Sequence, residues 1–304
     1  MNRFAQLEKR IAEVLPHMKG IANEPMSRHT SFRIGGPARY AAFPEDRETV
    51  ETLLALAQEY GVEPFVMGNG SNLLVADEGL ERLVILTTAM KKVLPHEDST
   101  LTAQAGALLS QTAVTACEAG LSGLEFAHGI PGTVGGGIYM NAVAYGGEMQ
   151  QVVRRVTMLL PGQGVKDFSA AEMEFAYRHS KVKELPGAVV LEAEFALEKG
   201  DSEEIRQTMR DYAARRKASQ PLEYPSAGST FKRPAGYYAA ALIDQCGLKG
   251  CRVGGAQVSE KHAGFVINAG GATCADVLEL MEVVKQTVYE QTGVTLEPEV
   301  RIIP

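Results

Sequence analysis

Apolar residues recur every three or four positions in several stretches of the chain, and each such stretch predicts an amphipathic helix. Near the start, Phe4, Leu7, Ile11, Val14 and Leu15 fall on one helical face among charges. Thr49 to Tyr60 repeats the pattern through Val50, Leu53, Leu54 and Ala57, and Gly61 stands where a left-handed C-terminal cap belongs. A helix is expected around Leu108 to Glu118. Another, capped by Asp201 or Ser202, places Ile205, Met209 and Tyr212 on one side. The last begins with a capping-box pattern from Thr273 to Asp276. It carries Val277, Leu278, Met281, Val284 and Val288 on a shared face, with Gly293 just past its end.

Between these helices the pattern shortens to strand-like runs. Phe65 to Met67, Leu73 to Val75 and Leu83 to Leu86 follow the second helix, and the order β, α, β, β indicates a small α+β unit. A second unit is expected from near Met90, running through Leu101 to Gly106, with strands near Val152 to Leu160 and Ala188 to Leu197. A terminal strand from Val294 to Ile303 is expected to put Val300 and Ile302 on one side and Glu299 with Arg301 on the other. Thr30 to Phe43 reads as an irregular, glycine-punctuated lead into a strand. No period of 20 to 50 residues recurs, which excludes a repeat architecture.

Composition narrows the class. With 304 residues, 45% hydrophobic and 22% charged, the chain is long enough for two or three small domains with their own cores. A net charge of −7 argues against a general nucleic-acid binder, so an anionic ligand must be met by a local cluster. The one markedly basic stretch is Arg206, Arg210, Arg215, Arg216 and Lys217, which reads equally as a solvated helix face. Cys117, Cys246, Cys251 and Cys274 form no CxxC pair, and the six histidines give no metal set, so free thiols and no metal are expected. Without a cleavable apolar segment at the start, or a run near the ~20 residues of a membrane span, the protein is expected to be cytoplasmic and away from membranes; a monomer is expected as well.

Two glycine-rich segments carry the candidate chemistry. Gly68-Asn69-Gly70-Ser71-Asn72-Leu73 lies between two strands, not between a strand and a helix. It is therefore neither a dinucleotide fingerprint, whose turn opens a helix, nor a Walker loop, which needs Lys before Ser or Thr. Two readings remain: an anion-binding nest of successive amides suited to a pyrophosphate, or a plain Gly/Asn hairpin turn. The second segment, Gly129-Ile130-Pro131-Gly132-Thr133-Val134-Gly135-Gly136-Gly137, is too apolar for a flexible linker and reads as a turn against which another molecule can press.

Taken in order with Thr30-Ser31-Phe32, Asn141 to Gly146, Tyr177-Arg178-His179-Ser180, Gly228-Ser229-Thr230-Phe231-Lys232 and Pro298-Glu299-Val300-Arg301, these segments resemble the UDP-N-acetylenolpyruvoylglucosamine reductase family over nearly the whole chain. The resemblance is to the shorter of its two subclasses, since the chain runs from Arg178 directly to Val189 without room for the longer subclass's tyrosine loop. It implies an α+β molecule: a two-subdomain FAD-binding fold of the vanillyl-alcohol-oxidase/PCMH type plus an α+β substrate-binding domain. The expected divisions are an N-terminal helix at 1–20, FAD-binding subdomains at 21–88 and 89–200, and a substrate-binding domain at 201–304.

The resemblance further implies NADPH-dependent, FAD-mediated reduction of UDP-N-acetylglucosamine enolpyruvate to UDP-N-acetylmuramate. That reaction serves peptidoglycan synthesis and, through it, cell shape and division. FAD would be bound noncovalently by Gly68, Asn69, Gly70, Ser71, Asn72 and Leu73 and by Ile130, Pro131, Gly132, Thr133, Gly135 and Gly136. Arg178 and Glu299 would hold the substrate carboxylate and stabilise the enolic intermediate, and Ser229 would protonate C2 after hydride reaches C3. A permanently charged guanidinium suits a carboxylate. Glu299 facing a carboxylate is expected to have a raised pKa, and Ser229 needs a positive neighbourhood, for which Lys232 stands close in sequence. Arg215, Lys217 and Lys232 are candidates for the UDP phosphates, Tyr145 for a sugar or nucleotide contact, and Gly228 for the substrate turn. Arg233 departs from the family's usual Asn, so no contact is carried over to it. Two other readings remain open: a flavin oxidase of the same fold, and a nucleotide-binding module without catalysis.

Overall fold

The computed structural model describes residues 3–304. The chain groups into two units of interleaved segments. The first comprises residues up to Ala22, Tyr40–Asn69 and Arg82–Arg215; the second comprises Asn23–Arg39, Gly70–Glu81 and Arg216–Pro304. The consecutive divisions drawn from the sequence at 21, 89 and 201 thus meet a grouping in which two short early segments join the C-terminal part.

In the first unit, helix α1 (Arg3–Val14) buries Phe4, Leu7 and Ile11, each contributing about 1.5–3 kcal/mol of transfer free energy. It packs on α2 (Arg47–Glu59), whose N-terminus is capped by the Asp46 carboxylate accepting the Thr49 amide at 2.8 Å. The adjoining sheet has the strand order Lys19–Pro25, Pro37–Phe43, Leu80–Leu86, Pro64–Met67, the last pair running parallel with Pro64 opposite Leu83. A second sheet is antiparallel, in the order Gly164–Ser169, Val153–Leu160, Val189–Ala196, Thr100–Gln104, Val93–Pro95. Its apolar face shares a core with α3 (Leu109–Glu118), α4 (Val134–Met140), α5 (Met149–Val152) and the buried Ile205 and Met209 of α6 (Ser202–Ser219). Asp201 caps α6 by accepting the amides of Glu203 and Glu204. Arg206 and Arg210 on this helix pair with Glu203 in solvent, so that part of the basic run is a solvated face.

The second unit holds a small antiparallel sheet, Arg252–Val253, Ala256–Val258 and Val266–Asn268. Against it packs a core of α7 (Ala239–Gln245) and α8 (Cys274–Thr292), the latter burying Val277, Leu280, Met281, Val284 and Val288. The short strand Leu73–Val75 pairs parallel with Arg301–Ile303.

Two expectations are corrected. The second glycine segment is not a turn throughout: from Val134 it is helix α4, because the Thr133 hydroxyl caps it by accepting the Gly136 amide at 3.4 Å. The terminal strand is confined to Arg301–Ile303, and its sides differ from the expected alternation: Val300 is buried while Ile302 is 42% exposed. Before it, the chain is held irregularly, with Pro298 bridged to Phe231 and both the Glu299 and Val300 amides directed at the Thr230 carbonyl.

Candidate active site

In the first unit the two glycine segments meet. The Asn69 side-chain amide donates to the Pro131 carbonyl at 2.7 Å, and a Cβ on Gly68 would overlap the Thr133 hydroxyl. Glycine is therefore required at 68 by close approach. The amides of Val134 and Gly135 are used within the protein, donating to Ala107 and Ala105 at 2.8 Å. A Cβ on Gly135 would stand 3.1 Å from that of Ala105, so part of this segment's glycine content serves packing. Pro131 and Gly136 are exposed. Just upstream, Nδ1 of His128 is buried without a hydrogen-bond partner among the described residues, an unmet polar group that a bound molecule can satisfy.

Arg178 sits at the tip of a tight hairpin in which the Ala176 and His179 backbones exchange hydrogen bonds at 3.1 and 3.2 Å. It adopts φ 56°, a conformation costly to a residue with a side chain, and the Lys183 ammonium holds its carbonyl at 2.6 Å. The hairpin is tied down from below. Fully buried Asn141 donates to the Ala176 carbonyl at 3.2 Å and to Glu148 at 3.0 Å, and the Ser180 hydroxyl donates to the Tyr139 carbonyl at 3.1 Å. Nearby in sequence, Tyr145 stacks on Tyr212 with ring centres 4.4 Å apart and planes 9° apart, and the Arg215 guanidinium lies 5.1 Å from the Tyr145 ring. Two of the proposed substrate contacts, Tyr145 and Arg215, are thus brought together.

In the second unit, the loop from Gly70 is built on the Thr30-Ser31-Phe32 segment. Gly70 has φ 59°, a Cβ there would overlap the His29 carbonyl, and its own carbonyl accepts the Ser31 amide at 3.3 Å. Among the described residues, the amides of Asn69, Gly70 and Ser71 donate to no protein acceptor, which leaves three donors for an anion. Asn72 is also tied within the protein: its side-chain amide donates to the Glu299 carbonyl at 3.2 Å, and its carbonyl accepts the Arg301 amide at 2.9 Å.

Ser229 is exposed, on a turn begun by Gly228 at φ 78°. The residue after it is the hub. Buried Thr230 donates its amide to the Gly264 carbonyl at 2.9 Å, accepts the Val266 amide on its hydroxyl at 2.9 Å, and accepts the Glu299 amide on its carbonyl at 2.8 Å. Thr230 therefore sets Ser229 and Glu299 side by side. Sequence reasoning missed it, because its partners are remote in the chain; Val266 is 36 residues away. Lys232, expected to lend Ser229 a positive neighbourhood, forms an ion pair with Glu297 at 3.1 Å. The Lys217 carbonyl accepts the Lys261 ammonium at 2.7 Å. Close to Thr230, His262 accepts the Gly264 amide on Nδ1 at 3.1 Å, and burial together with the Lys249 charge holds its pKa below the ordinary value. No group of three potential metal ligands occurs among the described residues, and no described helix is long and apolar enough to cross a membrane.

A family model described as an FAD binding domain matches residues 38–168. The Physcomitrella patens protein BBE-like 1 has the same fold at 16% identity, with a TM-score of 0.51 over 64% of this chain and 44% of that one. Fold and site together define a flavin-dependent oxidoreductase of the two-subdomain FAD-binding class, α+β in architecture. The C-terminal domain model of UDP-N-acetylenolpyruvoylglucosamine reductase matches residues 220–303. Reductases of that name are similar throughout: one from Caldanaerobacter subterraneus subsp. tengcongensis is 48% identical over 297 residues, 98% of each chain, and one from Lactobacillus johnsonii is 48% identical over 92% of this chain and 93% of its own. The crystal structure of the Thermus caldophilus enzyme aligns at 36% identity with a TM-score of 0.80, covering 95% of this chain and 99% of that one. The chain belongs to the UDP-N-acetylenolpyruvoylglucosamine reductase family.

Proposed function

We propose that the protein reduces the enolpyruvyl ether of UDP-N-acetylglucosamine to UDP-N-acetylmuramate, with NADPH as electron source, in the cytoplasmic supply of peptidoglycan precursors. Family membership along the whole chain is the observation that carries this reading. The residues present suit FAD: three unengaged amides at Asn69, Gly70 and Ser71 for a pyrophosphate, and the unmet His128 nitrogen beside the second glycine segment. Gly68 to Leu73 and Ile130 to Gly136 would hold it noncovalently. When bound, FAD would supply hydride chemistry at N5, linking NADPH to C3 of the alkene.

The remaining work falls to side chains. Arg178, its backbone locked, offers a planar cation to the substrate carboxylate, onto which charge spreads as C2 becomes electron-rich. Glu299 assists there as a protonated, hydrogen-bonded acid. Ser229 passes its proton to C2 and recovers one from water, its position fixed through Thr230. Arg215, Lys217 and Lys232 serve the diphosphate, Tyr145 the sugar or base, and Gly228 leaves room beside the reacting carbon; residues 201–304 act as the substrate-binding part. The test is direct. The purified protein is expected to be yellow and to oxidise NADPH only when the UDP-enolpyruvyl sugar is present, with little oxygen uptake. A colourless protein that added FAD does not restore, or oxygen-dependent turnover without the sugar, would refute it.

A further inference from the structure

One lysine in the second unit joins two residues of the proposed reaction without belonging to either segment. The turn that carries it is closed by several hydrogen bonds. Buried Ser259 accepts the amides of Lys261 and His262 on its hydroxyl at 3.2 Å, its own amide donates to the Phe265 carbonyl at 2.9 Å, and the Phe265 amide returns to the His262 carbonyl at 3.0 Å. The His262 and Phe265 rings meet edge to face at 4.9 Å.

This turn grips two places. Through Gly264 and Val266 it holds Thr230, and with it the backbone that presents Ser229. Through the Lys261 ammonium it holds the Lys217 carbonyl at 2.7 Å. That carbonyl lies in the last turn of α6, where such groups lack helical partners and carry partial negative charge, so a cation there satisfies the acceptor and complements the helix end. The Glu223 carboxylate, 3.8 Å away, flanks the same ammonium. The Lys261 side chain is 35% exposed, so its hydrogen bond to the carbonyl is only partly screened by water.

We propose that Lys261 is a positioning residue for the substrate: it holds the end of α6 that bears Lys217 in register with the turn that bears Ser229. This rests on the functional reading given above. In the UDP-enolpyruvyl sugar the diphosphate is separated from the alkene by the sugar ring, so both grips act together only if the distance between them is fixed, and a small misplacement of a reacting group is costly. Lys261→Met keeps the aliphatic stem and removes the donor.

The experiment uses the full-length FAD-loaded protein and its Lys261→Met, Lys261→Gln and Lys261→Arg variants. UDP alone is titrated by calorimetry, and flavin reduction by NADPH and reoxidation by the UDP-enolpyruvyl sugar are followed separately by stopped flow. Lys261→Met is expected to weaken UDP binding about tenfold and to slow reoxidation at saturating sugar, leaving flavin reduction and the melting temperature unchanged. Lys261→Gln gives the same reading if the methionine variant does not fold, and Lys261→Arg restores most of both losses. Variants that bind UDP and reoxidise like the parent would overturn the inference alone. So would an equal loss in flavin reduction, or a fallen melting temperature that Lys261→Arg does not restore. A parent protein that neither binds UDP nor is reoxidised by the sugar overturns the functional reading and this inference with it.

Discussion

Ser229 is exposed, yet its neighbours on both sides are constrained: Gly228 by its left-handed backbone and Thr230 by bonds from amide, hydroxyl and carbonyl. A hydroxyl held this way is placed without being occupied, which suits a proton donor. In Ser229→Ala, flavin reduction by NADPH is expected to stay near the parent rate. Reoxidation by the sugar is expected to slow at least about 100-fold, as loss of a general acid does; unchanged reoxidation in a stopped-flow trace rejects the role. Gly68 gives a second test at this scale. Because a Cβ there overlaps the Thr133 hydroxyl, Gly68→Ala displaces one glycine segment from the other. The purified variant is expected to retain much less flavin absorbance per mole while keeping its far-ultraviolet circular dichroism. Gly68, Ser229 and Arg178 were legible as motif members, whereas Thr230 was not, since its importance consists entirely of partners from other segments.

Elements set by their own residues were read well. Helix α8 shows why, for its start is a local device: the Thr273 hydroxyl accepts the Asp276 amide at 3.0 Å and the Asp276 carboxylate accepts the Thr273 amide at 3.0 Å. Gly293 closes the far end at φ 72°. The tertiary structure adds what the pattern could not announce. The Asp77 carboxylate accepts the next two amides, of Cys274 and Ala275, at 2.8 and 3.1 Å, and Asp276 also accepts the Gly255 amide at 3.1 Å. The bonds from the Thr273 and Gly255 amides to its carboxylate, followed by that from the Thr273 side chain, lower the Asp276 pKa. Thr273→Ala is expected to cost about 1 kcal/mol in urea unfolding, the ordinary worth of an N-cap, because Asp77 still serves the same helix end. The terminal strand failed for the opposite reason. Its alternation from Val294 onward imitates a strand, but Pro298 offers no amide, and the neighbouring amides go to Thr230.

For the molecule as a whole, acid stability follows from which groups are buried uncharged. His262, held below its ordinary pKa by burial and by Lys249, binds its proton less readily folded than unfolded. The unfolded chain therefore gains protons first as pH falls below about 6.5, and stability is lost through that window and regained on raising the pH. The midpoint of thermal unfolding is expected to fall over this range in the parent and to fall less steeply in His262→Gln; an unchanged slope would show that this imidazole does not contribute. The two units, assembled from interleaved segments, are also a property of the whole chain. A reading along the sequence places boundaries where composition shifts, as at Gly200-Asp201, and has no access to the early segments Asn23–Arg39 and Gly70–Glu81 that pack with residues two hundred positions later.

The order of apolar and polar residues, together with caps and glycines, was enough to indicate α1, α2, α3, α6 and α8, several of the longer strands and the α+β class, because each depends on neighbours within a few positions; the short helices α4, α5 and α7 and the small sheet of the second unit were not legible in it. Folding in three dimensions decided which remote groups meet: the Asn72 side chain on the Glu299 carbonyl, the Glu299 amide on the Thr230 carbonyl, and the Lys261 ammonium on the Lys217 carbonyl. Those hydrogen bonds join residues far apart in the chain. Their strength comes from geometry that exists only once the backbone has closed around them, and no local pattern encodes it.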